Sequence, residues 1–448
     1  MLKTLARVAV AAPFAFLSAH ALAAPGEGRD VAWDILADLT TEVGPRLAGS
    51  EREAAARDWA VARLKALGFA NVRSEPFTIP GWIRGAETAQ LTAPYPQPLH
   101  ITALGNSVAT PAGGLTAELV YFASLDALKA APDASLKGKV AFVDHAMRAN
   151  QDGSGYGPFG QVRRAGPALA SRKGAVAIVI RSVGTDSNRD PHTGVTGFPE
   201  GVAPIPAGAV SAPDAALIAR IAATGKPVRI ALVLEGHPVG PLPSGNVVAD
   251  LPGRDPKLPP ILVGCHLDSW DLGTGAIDDA AGCAIVAAAA LRAQQGGKPL
   301  RTIRVLWAGS EENGGFGGVA YAKAHGAEPH ALAMESDFGA DRVWRLKFAF
   351  ANGNQPLADR IAAALLPLGI VRNDERANGG TDVAPIITAQ KLAVIDLEQD
   401  GTRYFDLHHT PDDTLDKVDP AQLEQNVAAW TAVLKIVADE AGPISGPN

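Results

Sequence analysis

Cysteine is nearly absent: Cys265 and Cys283 are the two thiols in 448 residues, which excludes a fold stapled by a framework of disulfides. Both lie in apolar surroundings, so they are expected to be small, buried, free thiols rather than a bridge. An excess of basic charge is missing too, since 40 Lys and Arg face 47 Asp and Glu, a formal net charge of −7. Without a basic footprint, nucleic acid and anionic membrane surfaces are excluded as partners, and small molecules remain. Long hydrophobic runs are absent apart from residues 8–17, and that stretch is too short to stay in a bilayer as an anchor. Lys3 and Arg7 precede it and Ala21-Leu22-Ala23 follow, which is the pattern of a cleavable secretory leader over 1–24. The mature chain is therefore expected in the periplasm or outside the cell, with no integral membrane segment. No internal repeat is visible, and the Ala-rich stretch 284–293 reads as helix.

What is present is ordinary globular chain, 47% apolar, long enough for two cores. Ser50 and Glu53 form a capping box ahead of a helix in which Ala56, Ala60, Leu64 and Leu67 share a face, and Gly68 stops it. Strands are expected at 72–79, 119–122, 140–143, 175–180 and 228–234, with a helix at 165–171. Pro, Gly and Thr become frequent from 94 to 114, a change of texture. After Asp419-Pro420, the stripe Leu423, Val427, Trp430, Leu434 and Val437 marks a terminal helix that covers one face of a sheet.

The chemistry sits at strand ends. The apolar run 260–263 reads as a buried strand, and His266 and Asp268 fall where the backbone leaves the sheet, with Asp278 and Asp279 just behind. A neutral His266 imidazole and an Asp278 carboxylate are donors for a divalent ion, and Asp268 is placed to accept the other ring N–H of His266 and fix its tautomer. The same grammar recurs three times. The run 302–308 ends at Glu311 and Glu312, adjacent acids that repel unless a cation or proton intervenes. The run 331–334 leads into Glu335, Ser336 and Asp337, and the run 392–395 precedes a loop carrying Tyr404, His408, His409 and Asp413. Four strand ends bearing His, Asp or Glu on one edge of one sheet predict a metal site.

These motifs, together with Gly44-Pro45-Arg46-Leu47-Ala48-Gly49-Ser50 near the start, resemble the M28 family of di-zinc peptidases, and within it the carboxypeptidase Q (plasma glutamate carboxypeptidase) group. The loop Asn378-Gly379-Gly380-Thr381-Asp382 is similar to that group and departs from the Ser-Asp-His pattern of other M28 branches. The resemblance implies an α/β catalytic fold, a mixed central sheet flanked by helices, interrupted by an α+β protease-associated domain. Its expected division is leader 1–24, catalytic 25–105, insert 106–240 and catalytic 241–448. The insert repeats none of the His and acid grammar and is expected to have no catalytic role.

Carried over residue by residue, the resemblance implies two Zn²⁺ ions bridged by Asp278, one also held by His266 and Asp337, the other by Glu312 and His409. Of the paired histidines, His409 matches the family's ligand. Glu311 matches the general base, His408 or Tyr404 would face the oxyanion, and Asp268, Asp413 and Asp382 stand behind the ligands or beside the substrate. The implied activity is exopeptidase hydrolysis of dipeptides or short peptides, with a homodimer left open. Two alternatives share the fold: a glutaminyl-cyclase-like transferase and a non-catalytic, receptor-like binding protein. The complete set of five ligand candidates favours hydrolysis.

Overall fold

The computed structural model describes residues 31–447; the leader expected over 1–24 lies outside them. Residues 261–266 are all buried, as a strand covered on both faces must be. This strand, Ile261–His266, pairs in parallel with Ile303–Ala308 on one side and Leu332–Glu335 on the other, and the latter pairs in parallel with Ala393–Gln399. Four parallel strands thus end on one edge, with His266 opposite Ala308 and Gly264 opposite Glu335. Four more strands extend the sheet to eight: His237–Leu251 and Ala70–Ile83, each antiparallel to its neighbour, beyond Ile303–Ala308, and Val343–Ala349, antiparallel to Ala393–Gln399 and parallel to Val371–Arg376 at the far edge.

Alanine explains the packing of one face. The helix Ala281–Ala293 is buried along most of its length, and its small side chains let the terminal helix Pro420–Ala438 lie close against it. Leu423, Val427, Trp430, Leu434 and Val437 are fully buried, so the stripe faces the core. At the first helix, Glu51–Ala66, Ser50 caps the Glu53 N–H at 3.1 Å. Glu53 does not return to Ser50: it accepts from Gly49 N–H, from the Ser244 hydroxyl, and from Arg57.

A second eight-stranded sheet interrupts the first. Its order is Gln97–Leu99, Glu87–Ala93, Val228–Leu234, Leu115–Phe122, Val140–Val143, Ala177–Arg181, Ala207–Val210 and Ile101–Ala103. The chain leaves the first sheet after Ile83 and returns at His237, which pairs with Ile83. The expected start of the insert at 106 is therefore too late. Ala89 and Leu91 alternate into the second core against Val228–Leu234, a short half-buried pattern that the Pro-rich texture after it obscured. The helix expected at 165–171 is also longer, spanning Tyr156–Arg172; Gly157, Pro158, Gly160 and Gly166 read as breakers in the sequence.

The expectation of free thiols is overturned. Cys265, at the end of a central strand, and Cys283, in the first turn of Ala281–Ala293, are joined as a disulfide with their Cα atoms 5.1 Å apart. Apolar surroundings suit a thiol and a bridge equally, and what decides is the helix start folding back onto the strand end. Closing a loop of 18 residues is worth about 3 kcal/mol in the chain-entropy model. Alkylation under denaturing, non-reducing conditions should leave both cysteines unmodified, and Cys283→Ser should lower the melting temperature by several degrees. Two alkyl adducts on the native protein would contradict the bridge.

Candidate metal centre

Asp278 stands between two histidines. Its Oδ1 is 3.0 Å from His266 Nε2 and its Oδ2 is 3.3 Å from His409 Nε2. His266 Nε2 also lies 3.3 Å from Asp337 Oδ1, and His409 Nε2 lies 2.9 Å from Glu312 Oε2. The geometry forms two triplets that share Asp278: His266, Asp278 and Asp337; His409, Asp278 and Glu312. All five come from the edge where the parallel strands end.

The far nitrogens decide what the near ones can do. His266 Nδ1 is 3.0 Å from the Asp268 carbonyl and His409 Nδ1 is 3.2 Å from the Thr193 carbonyl. A carbonyl only accepts, so His266 Nδ1 carries its proton and its Nε2 presents a lone pair to carboxylate oxygens; His409 Nδ1 lies 3.2 Å from both the Thr193 carbonyl, which accepts, and the Arg163 guanidinium, which donates. Lone pairs face lone pairs there unless a proton or a cation lies between. With no cation, neighbouring acids hold both imidazoles well above the ordinary histidine range despite burial. A proton then stands where a metal ion would. Glu312 Oε1 adds a buried acceptor with no hydrogen-bond partner, and this nitrogen and carboxylate donor set fits a divalent transition metal.

Loops around the centre are fixed by buried polar contacts. Arg46, fully buried, donates to the carbonyls of Leu267, Thr274 and Gly275 at 2.5, 2.6 and 2.9 Å. It ties the loop after His266 to the loop before Asp278, which gives the Gly-Pro-Arg motif a role the sequence reading did not assign. Asp413 Oδ1 accepts from Ala276 and Ile277 N–H at 2.8 and 2.7 Å, just ahead of Asp278. Asp279 accepts from His266 N–H and Gly282 N–H.

Asp268 departs from its expected job. Its backbone carbonyl, not its carboxylate, meets His266 Nδ1, while the carboxylate accepts from the N–H groups of Glu311 and Glu312 at 3.0 and 3.3 Å. Glu311 lines the cleft beside Glu312. Burial, with the carboxylates of Asp337, Glu312 and Asp268, pushes it well above the usual carboxylate range. His408 stacks on His409 with ring centroids 3.6 Å apart, and it lines the cleft with Tyr404. Asp382 is fully buried with both carboxylate oxygens unpartnered, whereas its neighbour Thr381 is the residue that faces the cleft.

The inserted segment, for which no catalytic role was expected, closes the other side. Thr193 N–H donates to the His409 carbonyl at 3.0 Å while the Thr193 carbonyl takes His409 Nδ1. Buried Arg163 donates to the same Thr193 carbonyl at 3.2 Å and to the Tyr156 hydroxyl at 2.5 Å. Arg84 holds Asp271 through Nε and reaches the Thr193 hydroxyl through Nη2. Together these walls enclose a cleft of 340 Å³ lined by Asp278, Glu311, Glu312, Asp337, His408 and His409 from the first sheet, and by Tyr156, Arg163, Arg164 and Val195 from the insert. No signal in the sequence marks Thr193, because a backbone carbonyl has no residue type.

Comparison with known proteins agrees with this architecture. Residues 246–434 match the model of peptidase family M28. Carboxypeptidase Q from Bos taurus is 35% identical over 419 residues, 92% of this chain and 86% of its own length, and carboxypeptidase Q from Homo sapiens is 34% identical over 93% and 87%. A peptidase M28 precursor from Shewanella amazonensis SB2B, solved by crystallography, superposes with a TM-score of 0.90 at 45% identity, covering 93% of this chain and 95% of that one. A zinc aminopeptidase from Bacillus subtilis shares the fold at 18% identity, with a TM-score of 0.65 over 93% and 96%. The chain belongs to peptidase family M28 and is a peptidase.

The buried acids give the metal-free protein a pH dependence of definite sign. Burial and Asp337 raise Glu335 to about 8, and burial and Asp278 raise Asp413 to about 7. Asp279 and Asp382 are likewise held well above the ordinary value. A carboxyl whose pKa is raised on folding binds its proton more tightly in the folded state. Its stabilisation is complete below the unfolded value of about 4 and is lost as pH rises through the folded value. Chelated protein should therefore melt at progressively lower temperature from about pH 5 to pH 8, and zinc should flatten the curve. A metal-free melting temperature that rises across this window would contradict the charge assignment.

Proposed function

We propose that this peptidase is a di-zinc exopeptidase that hydrolyses dipeptides or short peptides. The observation that carries the reading is Asp278 with one oxygen toward each of two imidazoles, at 3.0 and 3.3 Å. His266 and Asp337 would complete one ion's protein ligands and His409 and Glu312 the other's, with Asp278 shared. The name of the Bacillus subtilis relative supports zinc, and so does the nitrogen and carboxylate donor set. Bound zinc would polarise the scissile carbonyl and make water acidic enough to lose a proton near neutral pH.

The chain's own residues do the rest. Glu311 lines the cleft beside Glu312 without belonging to either triplet. It accepts the proton of the attacking water and returns it to the leaving amine. Its pKa, held high by burial and by neighbouring acids, falls toward a useful value once divalent cations reverse the local field. His408 and Tyr404 line the same cleft, and one or the other would donate to the oxygen that gains charge. A cleft of 340 Å³ suits a short peptide, and carboxypeptidase Q among the relatives supports attack at a chain end. Export by the leader at 1–24 fits this reading, since the Cys265–Cys283 bridge requires an oxidising compartment.

Two neighbouring acids with unequal jobs provide the test. Glu311→Gln keeps size and leaves both triplets intact, so zinc content should hold while kcat falls by about 10²–10⁴-fold. Glu312→Gln should lower occupancy of one zinc. Glu311→Gln within a few-fold of wild type, or losing metal as readily as Glu312→Gln, would show the base assignment to be wrong.

A further inference from the structure

A trough outside the metal cleft is built into the inserted segment. The helix Tyr156–Arg172 carries Ala165, Ala168, Leu169 and Arg172 at spacings of three and four, so they share one face. The short helix Leu125–Ala130 packs along it in the same direction: a Cβ on Gly166 would meet Leu125 Cδ1 at 3.9 Å, and at the other end Lys173 Nζ donates to the Ala131 carbonyl. Because residues 165 and 168 are alanines, their side chains stop short and leave a gap between the two helices. Gly197, Phe198 and Pro199 form the third wall, tied in by Gly197 N–H on the Arg164 carbonyl at 3.2 Å. The trough measures 490 Å³, the size of a small-molecule pocket.

Its two ends differ. At one end Arg164 is folded away, with Nη2 donating to the Gly157 carbonyl at 2.8 Å, and its methylene stem is left beside the apolar floor. At the other end Lys129 and Arg172 line the trough. Lys129 shares its charge with Asp126, one turn back on its own helix, and the adjacent Lys173 faces Asp133; both acids lie out in water. Among the described residues no carboxylate pairs with Arg172, and no acid lines the trough.

An apolar floor with unopposed positive charge at one end is complementary to a molecule with an apolar body and an anionic head. The apolar lining does not spread beyond the trough: exposed large apolar side chains such as Ile83, Tyr95 and Val176 do not border it. The surface around it therefore lacks the apolar extent that a protein partner needs. From Arg172 back to Ala165 the helix runs about 10 Å, which an extended alkyl chain of about eight carbons spans at ~1.5 Å per zigzag bond.

We propose that this trough binds a medium-chain fatty acid, with the alkyl chain over Ala165, Ala168, Leu169 and Phe198 and the carboxylate between Lys129 and Arg172. The Arg172 guanidinium can offer the carboxylate two parallel N–H groups. The site is separate from peptide cleavage, since no residue of either metal triplet lines it.

Calorimetric titration of the zinc-loaded full chain with hexanoate, octanoate, decanoate, dodecanoate and decanol reads the site. Affinity should rise about fourfold per added methylene up to decanoate and level off at dodecanoate, with decanol about fivefold weaker than decanoate. Arg172→Glu should weaken decanoate by about tenfold and leave decanol unaltered, whereas Leu169→Asp should weaken both. Arg172 is exposed, so its replacement should keep the melting temperature and decides the matter even if Leu169→Asp does not fold. Decanoate that fails to bind, or that binds Arg172→Glu as tightly as wild type because it sits on the zinc ions instead, overturns the proposal. So does a dimer that Leu169→Asp dissociates, which would show a second copy of the chain covering the trough.

Discussion

Two imidazoles with one carboxylate between their inner nitrogens are the constraint on which the site depends. At His266, Nδ1–H held by the Asp268 carbonyl leaves Nε2 with a lone pair on the inside, and carboxylates meet that lone pair. Such an arrangement is repulsive in itself and becomes favourable when positive charge is inserted. The buried acids around it, Asp268, Asp279 and Asp382 among them, deepen the negative potential. The centre is thus built to be incomplete as protein alone.

The fold supplies the stiffness this requires. Parallel strands deliver His266, Glu311, Glu312 and Asp337 to one edge in fixed register, and Arg46 and Asp413 hold the Asp278 loop by its backbone groups. The disulfide anchors the residue before His266 to the helix that follows Asp279. His409 is held differently, because its orienting carbonyl belongs to Thr193 in the second sheet. One half of the centre is therefore set within the first sheet and the other half by docking of the insert, with Arg84 bound to Asp271 as a further tie.

Much of the first sheet was legible because parallel buried strands leave continuous apolar runs, and each run here ends in residues with metal-binding chemistry. Position brought out His266, the Glu311-Glu312 pair, Asp337 and the His408-His409 pair, the family resemblance chose within the pairs, and the structure gathers His266, Glu312, Asp337 and His409 around Asp278. What was illegible has physical reasons. Asp268 was expected to use its carboxylate on His266, but the backbone carbonyl is nearer and the side chain is drawn to two N–H groups at the start of the Glu311 turn. Thr193 acts through its main chain, which the sequence does not mark. Arg163 and Arg164 lie in helical turns that Gly157, Pro158 and Gly160 disguise. The strands before 106 carry too few alternating residues to announce a second sheet, and the two cysteines needed tertiary proximity to declare their bridge.

The central claim is that Asp278 serves two ions at once. A crystal of the mature chain grown with zinc, measured at the zinc absorption edge, reads this directly. Two anomalous peaks about 3.5–4 Å apart should flank the Asp278 carboxylate, one beside His266 and Asp337 and the other beside His409 and Glu312. A single peak, or a second one away from Asp278, would contradict the account.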